Sequence, residues 1–166
     1  MPGFSVLQMA AAYAPFANDG IYTQPYTYTK VSNAEGKEII TNEPETYIAM
    51  DASTAYVTTR MLRNVVTSGT GGGAQVSSGI FTAGKTGTAT DYRDRWFIGY
   101  TPYYVGAVWY GYDQPKSTPS SPCVRVWKKV MDQVHKGLPD KMFEMPGKVV
   151  TASYCKDSGK QATDAC

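Results

Sequence analysis

Apolar residues recur at helical spacing in two stretches of the first 70 residues. Ser5 and Gln8 can form a capping box, and the apolar period that follows runs to the turn at 18–20, which predicts a buried helix. Asp51 is the predicted N-cap of a second helix, which ends at 68–69. The apolar positions of the two helices are Val6, Met9, Ala10, Tyr13 and Ala17, then Ala55, Met61, Leu62, Val65 and Val66.

A third helix is predicted after residue 120. Ser121 and Pro122 suit its N-cap and first turn, and Gly137 ends it. Its apolar stripe is expected to pack on a sheet, with charged residues on the other side. His135, the sole histidine, falls in the last turn, where we expect a surface position facing the helix dipole and not a catalytic role. The stripe consists of Val124, Trp127, Val130, Met131 and Val134.

Between these helices the pattern favours strands. Residues 21–31 are rich in Tyr and Thr, and a turn at 33–36 leads into 37–40, which predicts a small peripheral hairpin. Residues 75–90 and 95–113 form the predicted main sheet, with an antiparallel turn at Thr101-Pro102. The predicted fold class is therefore α+β, with a predominantly antiparallel sheet flanked by helices.

Composition narrows the classes of function. The 166 residues are 42% hydrophobic, enough for one core, and their net charge is only +2, with no basic run that would suit nucleic acid. The longest uncharged run, 96–112, is broken by Pro102 and glycines, so no membrane span is predicted, and no secretory signal is visible at the first residues. No cofactor and no metal site are predicted. The 13 tyrosines fit packing and strand propensity, or a surface that lines sugar or peptide.

Cysteine spacing leaves one question open. Cys155 and Cys166 bracket a polar segment with a turn signal at 157–159, and a bridge between them would suit an extracytoplasmic protein. Free thiols fit the spacing equally well. Cys123 has no partner in either case.

The tetrapeptide Lys85-Thr86-Gly87-Thr88 carries the candidate chemistry. At the start of a strand it can present an ammonium group, two hydroxyl groups and unblocked peptide N–H groups on one edge, which suits a peptide substrate that bears a carboxylate. Residues 79–86 also satisfy the Walker A pattern for phosphate binding. Poor helix formers follow at 87–91, however, so the helix that a phosphate loop requires is not expected.

The tetrapeptide and its surroundings resemble the C-terminal half of the transpeptidase domain of class A (bifunctional) penicillin-binding proteins, over roughly residues 3–150. The resemblance implies an incomplete domain of the penicillin-binding-protein and serine β-lactamase type over 1–150, with 151–166 as a polar C-terminal tail. The matching segments, in the family's order, are 6–20, 61–66, 68–71, 85–88, 94–102 and 109–113.

The resemblance also implies roles for these residues. Lys85 would be catalytic, as a positive group beside the nucleophilic serine and the substrate. Thr86 and Thr88 would bind the substrate carboxylate, the N–H of Thr88 would form half of the oxyanion hole, and Gly87 would let the substrate backbone approach. In the family, the reaction cross-links peptidoglycan stem peptides by acyl transfer, and β-lactams acylate the same serine.

The family's nucleophile is not found in this sequence. A Ser-x-x-Lys and a Ser-x-Asn element should precede Lys85, and neither does. The match at Ser153 to Lys156 lies in a stretch without helical periodicity and is interpreted as coincidence. The isolated chain is therefore expected to be inactive, with the N-terminal half of the domain as its missing partner and the cell envelope as the location of the intact protein.

An alternative function and the role of one charged segment remain open beside this interpretation. An edge strand with Lys85 and two threonines could serve a non-catalytic module that binds peptide or cell wall, although half of the cleft would be absent. The charged residues at 91–95 are expected to form a solvated turn, or to orient the strand by ion pairs.

Overall fold

The computed structural model describes residues 3–163 as three layers, with a three-stranded sheet between helices. The helices are α1 (Val6–Ala17), α2 (Ala52–Ser68) and α3 (Cys123–Val134). The strands are β1 (Ile21–Thr23), β2 (Lys30–Ser32), β3 (Glu38–Thr41), β4 (Thr46–Ile48), β5 (Ala83–Thr88), β6 (Arg95–Tyr100) and β7 (Val105–Tyr110), and a short 3-10 helix spans Thr90–Tyr92.

The central sheet has the order β5-β6-β7, and both strand pairs are antiparallel. The predicted turn between β6 and β7 is confirmed, because the Thr101 N–H donates to the Tyr104 carbonyl at 2.9 Å. The first predicted strand is too long, since 75–82 is irregular. There the Gln75 side chain donates to the Ile80 carbonyl and to the Thr82 hydroxyl, so these groups are satisfied locally and do not join a ladder.

One face of this sheet, here called the α3 face, is tightly packed. Gly84 pairs with Gly99, which pairs in turn with Gly106, so a row of three glycines crosses all three strands. A Cβ atom on Gly99 would lie 2.7 Å from the Phe97 ring and 2.8 Å from the Trp127 ring. The missing side chains therefore let the aromatic rings lie directly on the backbone of the sheet.

The opposite face, here called the α1 face, is covered by α1. Tyr100 is fully buried there and packs against Tyr13 and Phe16 of that helix. The capping box of α1 is confirmed. The prediction of a buried helix is wrong for its first turns, however, because Ala11 and Pro15 are its only buried residues and Leu7 is 60% exposed. β1 and β4 border this end of α1 without burying it, so its apolar spacing is not matched by burial.

The first half of the chain forms two small sheets and not one hairpin. β2 and β3 pair as predicted around the turn at 33–36. β1 instead pairs with β4, which the sequence analysis did not predict, and Tyr22 stacks on Tyr47 across that pair at 4.8 Å between ring centroids. All of β2, β3 and β4 is exposed, as expected of a peripheral element.

The predicted boundaries of α2 are confirmed, since Asp51 accepts from the Ser53 N–H and Gly69 is the C-cap. Its predicted apolar face is partly wrong. Met61 is 57% exposed, while Val66 and the unpredicted Thr59 are buried. Thr59 is buried because its hydroxyl donates to the Phe16 carbonyl and also pairs with the Tyr100 hydroxyl.

The start of α3 was predicted one residue early. Pro122 occupies the N-cap itself and provides no side-chain cap, so Ser121 lies outside the helix. Trp127 and Met131 are buried as predicted, but Val130 and Val134 are 54% and 45% exposed, because the side of the helix that touches the sheet is narrower than the valine stripe.

The predicted surface position of His135 is wrong. The residue is 1% exposed, with Nε2 at 2.8 Å from the Thr101 hydroxyl and Nδ1 at 2.7 Å from the Met131 carbonyl. A carbonyl can only accept, so Nδ1 carries the proton and Thr101 donates to Nε2. The ring is buried because both of its nitrogens are satisfied, and it ties the end of α3 to the turn between β6 and β7.

The last segment contains no helix among its described residues. The stretch from Ser153 to Lys156 contains only a bridge residue and part of a turn, as the interpretation of a coincidental motif requires. The question of a bridge between Cys155 and Cys166 involves a residue outside the described range. Cys123 is a free, buried thiol that contacts the Arg95 carbonyl.

Candidate functional site

The tetrapeptide Lys85-Thr86-Gly87-Thr88 forms the second part of β5, the edge strand of the central sheet. Successive side chains of a strand point to opposite faces, so Lys85 and Gly87 belong to the α1 face, and Thr86 and Thr88 to the α3 face. Lys85 and Thr88 are exposed, and Thr86 and Gly87 are half-buried. The three functional groups of the motif are therefore accessible along one strand edge.

This geometry rejects the phosphate-loop interpretation. Lys85 and Thr86 lie inside a strand that pairs with Ile98 and Phe97, and not at the start of a helix. After Thr88 the chain enters a single 3-10 turn and then β6. The motif is therefore not followed by the helix N-terminus at which a phosphate loop binds its ligand.

Beside Lys85, the α1 face encloses a cavity of about 560 Å³. Its walls come from the exposed first turns of α1 and from three side chains of the sheet, Trp96, Ile98 and Trp109, with the motif along one side. Trp96 and Trp109 are cross-strand partners whose ring centroids lie 6.4 Å apart. The cavity thus combines a broad apolar wall with one cationic group, the arrangement typical of a binding cleft.

Charged residues after β5 form hydrogen bonds with uncharged groups in and near this wall. Asp94 accepts from the indole N–H of Trp109 at 2.8 Å, and Arg95 donates to the Thr118 hydroxyl and carbonyl. The Asp91–Arg93 ion pair is long, at 3.4 Å, and exposed, so it contributes little. Within residues 91–95, Asp91 and Arg93 therefore belong to the predicted solvated turn. Asp94 and Arg95 instead hold neighbouring residues by hydrogen bonds to uncharged groups.

The motif itself has two close polar contacts. The Lys85 ammonium donates to the Thr86 carbonyl at 2.9 Å, and the Thr86 hydroxyl lies 2.7 Å from the hydroxyl of Thr70, in the loop after α2. Lys85 forms no salt bridge with a carboxylate in residues 3–163. Its charge is accordingly available to an anionic ligand.

Burial also sets the electrostatics behind the cavity. It raises the pKa of Tyr13, which lines the cavity, and it raises the pKa of Tyr100 further, although the hydrogen bond with Thr59 acts in the opposite direction. Both phenols therefore stay neutral near pH 7. The side of the cavity behind Tyr13 is therefore uncharged.

Neither a metal-binding cluster nor a membrane-spanning helix is found in the described part of the chain. Residues 3–163 bring together no group of three His, Cys, Asp or Glu side chains that could hold a metal ion. Across the same residues, none of the helices combines the length and the apolar character that crossing a membrane requires.

Sequence reasoning located the strand but missed the residues around it. The sequence places Trp96 and Trp109 in predicted strands, Asp94 in a charged turn and Thr70 in the matching segment 68–71, without bringing them together at the site. The pairing of Lys85 with Ile98, and of Trp96 with Trp109, would have placed both indoles on the lysine's face. That inference requires the register, which the hydrophobic pattern alone does not give.

Sequence comparisons agree with this geometry. The family profile described as the penicillin binding protein transpeptidase domain matches residues 3–132. Penicillin-binding protein 1A of Clostridium botulinum (strain Langeland) is 39% identical over 165 residues, which cover 97% of this chain and 20% of that protein. Penicillin-binding protein 1A of Aquifex aeolicus is 38% identical over 145 residues, or 84% of this chain. The chain spans about one fifth of the length of these curated relatives.

Solved structures match as well. The D,D-transpeptidase domain of a peptidoglycan glycosyltransferase from Eggerthella lenta is 31% identical, with a TM-score of 0.72 over 84% of this chain and 34% of that one. Penicillin-binding protein 1A from Haemophilus influenzae has a TM-score of 0.85 over 96% of this chain and 30% of its own, at 18% identity, and so supports the fold. The predicted α+β fold, with an antiparallel sheet flanked by helices, is confirmed.

Proposed function

The chain belongs to the penicillin-binding protein transpeptidase family, and we propose that β5 forms the substrate-binding side of a D,D-transpeptidase site. The observation that carries the proposal is the position of Lys85 and Thr86, in an accessible edge strand beside a 560 Å³ cavity. The substrate would be a peptidoglycan stem peptide that ends in a carboxylate, and a β-lactam would occupy the same place. The intact protein would act at the cell envelope.

Each residue of the motif has one role in the proposal. The Lys85 ammonium lowers the energy of negative charge beside the reacting serine and the substrate. The hydroxyl groups of Thr86 and Thr88 donate to the terminal carboxylate, and the Thr88 N–H donates to the oxyanion. Gly87 has no side chain, so the peptide can lie along the strand.

The nucleophile in this proposal comes from another polypeptide segment, because no Ser-x-x-Lys precedes Lys85 in the sequence. That segment packs on the α1 face, where the cavity is open. Its serine oxygen bonds to the carbonyl carbon of the penultimate D-alanine, and the terminal D-alanine leaves with the transferred proton on its amine. The amine of a second stem peptide then attacks the ester carbonyl carbon, which forms the cross-linking amide, breaks the bond to the serine oxygen and passes one proton of the attacking amine to that oxygen.

The test is reaction with a fluorescent penicillin, followed by a denaturing gel and intact mass. The isolated chain should form no covalent adduct. When an upstream transpeptidase segment from a relative, with its Ser-x-x-Lys and Ser-x-Asn elements, is supplied, an adduct should form on the serine of that segment. Lys85→Ala should then slow acylation by about 10²–10³-fold, the cost of losing a comparable transition-state donor.

Lys160→Ala is the matched control, since it removes the same charge from an exposed position in the last segment. Its acylation rate should equal that of the unchanged chain. Equal slowing by the two substitutions would show that only total charge matters, and a stoichiometric adduct on a serine of this chain would overturn the proposed source of the nucleophile.

A further inference from the structure

Two side chains of the motif contact residues outside it, and the contact of Thr86 is much the shorter: Arg95 lies 3.5 Å from the Thr88 hydroxyl, at the limit of a hydrogen bond. The Thr86 hydroxyl lies 2.7 Å from the Thr70 hydroxyl, although 16 positions separate the two residues in sequence. Thr86 is half-buried and Thr70 is exposed, so Thr70 lies on the solvent side of the pair. We propose that Thr70 is a positioning residue, which aims the Thr86 hydroxyl at the substrate carboxylate.

The loop that carries Thr70 is unusually well fixed for a glycine-rich segment. The N–H groups of Gly69 and Gly71, on either side of Thr70, both donate to the Val65 carbonyl, at 3.1 and 3.0 Å. Gly71 is buried, and a Cβ there would lie 3.2 Å from the Phe97 ring and 3.2 Å from the Val65 carbonyl oxygen. The backbone of Thr70 is therefore anchored at both ends, to the last turn of α2 and to the sheet.

The direction of the hydrogen bond follows from the chemistry of the ligand. A carboxylate only accepts, and the Thr86 hydroxyl has a single proton to donate. When that proton points to the ligand, the 2.7 Å contact can persist only if Thr70 donates to Thr86. Donation from Thr70 polarises the Thr86 hydroxyl and strengthens the bond to the carboxylate.

Lys85 complements this arrangement from the other side of the strand. Its ammonium binds the Thr86 carbonyl, while Thr70 binds the Thr86 hydroxyl. Thr70 would thus affect how tightly a carboxylate is held and not the chemical step, because it contacts neither the lysine nor the reacting atoms. This inference rests on the proposed function.

The first measurement uses the chain reconstituted with an upstream transpeptidase segment. Thr70→Val keeps the shape of the side chain but removes the hydroxyl. It should raise the penicillin concentration needed for half-maximal acylation by about 3–10-fold, the range expected for one hydrogen bond, with the limiting rate unchanged. Thr70→Ser should restore the original value. Thr67→Val, at an exposed position in the last turn of α2, is the matched control and should have no effect.

The second measurement needs no activity. Three-bond NMR couplings in this chain should show a single χ1 rotamer for Thr86, and averaging between rotamers in Thr70→Val but not in Thr67→Val. Unchanged couplings in Thr70→Val, or a loss in limiting rate with no change in half-saturation, would overturn the positioning role. If the reconstituted domain fails to react with penicillin at all, the proposed function fails, while the couplings still decide the role of Thr70.

Discussion

The two faces of the central sheet differ in how completely their side chains are packed. On the α3 face, the glycine row lets Trp127 lie on bare backbone, and the indole N–H donates to the Gly106 carbonyl at 3.0 Å. On the α1 face, Trp96 and Trp109 stand over a 560 Å³ cavity and are only half-buried. The same three strands therefore carry a closed core on one side, and on the other a smaller core around Tyr100 that leaves a cavity beside Lys85.

This difference bears on stability and on function, because the motif has residues on both faces. The α3 face contains no residue of the motif except the two threonines at its edge, and its contacts are internal to the chain. On the α1 face, Lys85 lies near the start of α1, where Phe4 just before the helix and Leu7 in its first turn are 72% and 60% exposed. We infer that the α3 face stabilises the chain by itself, while the α1 face reaches its final packing only against another segment.

The largest effect on stability is expected from removing Trp127, the ring at the centre of the α3 face. Trp127→Ala should lower the free energy of unfolding by about 3–5 kcal/mol, because a fully buried indole and its hydrogen bond are lost. Denaturant unfolding followed by circular dichroism measures this. Val130→Ala, on the exposed side of the same helix, should change it by less than about 0.5 kcal/mol. Equal losses would mean that α3 stabilises the chain through helix propensity and not through the packing of its ring.

A smaller effect is expected from adding one carbon atom to the glycine row. In Gly106→Ala the new Cβ would lie 2.5 Å from the end of Met131 and 2.9 Å from the indole nitrogen of Trp127. Overpacking of this kind costs about 1–3 kcal/mol, which a shift of the urea midpoint would report. Gly147→Ala is the control, since a Cβ there meets nothing within 4 Å. A neutral Gly106→Ala would show that the α3 face is looser than its distances indicate.

The third effect depends on pH. Asp132 of α3 accepts from the Ser77 N–H at 2.8 Å and from the Lys128 ammonium at 2.7 Å. Burial alone would raise the pKa of Asp132, but the hydrogen bonds from Lys128 and Ser77 outweigh it and hold the pKa below its usual value. A carboxyl with a lowered folded-state pKa contributes stability above its unfolded pKa, about 3.9, and loses it as pH falls through the folded value.

Asp132→Asn should therefore lower the free energy of unfolding by about 1 kcal/mol at pH 7, and the deficit should shrink to nothing in strong acid. Urea unfolding at several pH values measures the difference. Asp140→Asn, at an exposed position after α3, should match the unchanged chain throughout. A deficit that persists unchanged at pH 2 would mean that Asp132 acts through shape and not through charge.

The smallest effect is expected on the α1 face. Leu7→Gln should alter the free energy of unfolding by less than about 0.5 kcal/mol, because that side chain is already in water. The same substitution should weaken association with an upstream transpeptidase segment, measured by co-purification or calorimetry. Substantial unfolding by Leu7→Gln would contradict the view that this face is unfinished in the isolated chain.

Much of the fold could be predicted from the sequence because local signals agree with it. The capping box at Ser5, the Asp51 cap and the turn at Thr101 are short-range features, and each lies where it was predicted. The pairing of β1 with β4 could not be predicted, since it joins residues about 25 positions apart, and the turn between them at 33–36 serves the β2–β3 hairpin instead. The burial of His135 also could not be predicted, because its ring meets both hydrogen-bond partners only once α3 lies on the sheet.

The candidate site was predictable only as a linear motif. Lys85 to Thr88 are adjacent in sequence and stand out by chemistry alone. The neighbours that complete the site come from other elements, as Thr70 and Trp109 illustrate, and their positions follow from tertiary packing. The proposed division into residues 1–150 and a tail at 151–166 stays a prediction.

The row of glycines on the α3 face also bears on how the chain acquires its order. Cross-strand side-chain pairs normally fix which residues face each other, and the Gly84, Gly99 and Gly106 row offers none. A slide of two residues would keep every side chain on its face but would place larger groups beneath Trp127. That ring therefore favours the correct alignment, and it is synthesised after all three strands. The turn at Thr101 and the Trp96–Trp109 pair already align β6 with β7. We therefore expect α3 to reinforce the alignment of the sheet when it emerges, and a chain that ends before Cys123 should show weaker protection of β5, β6 and β7 in hydrogen exchange.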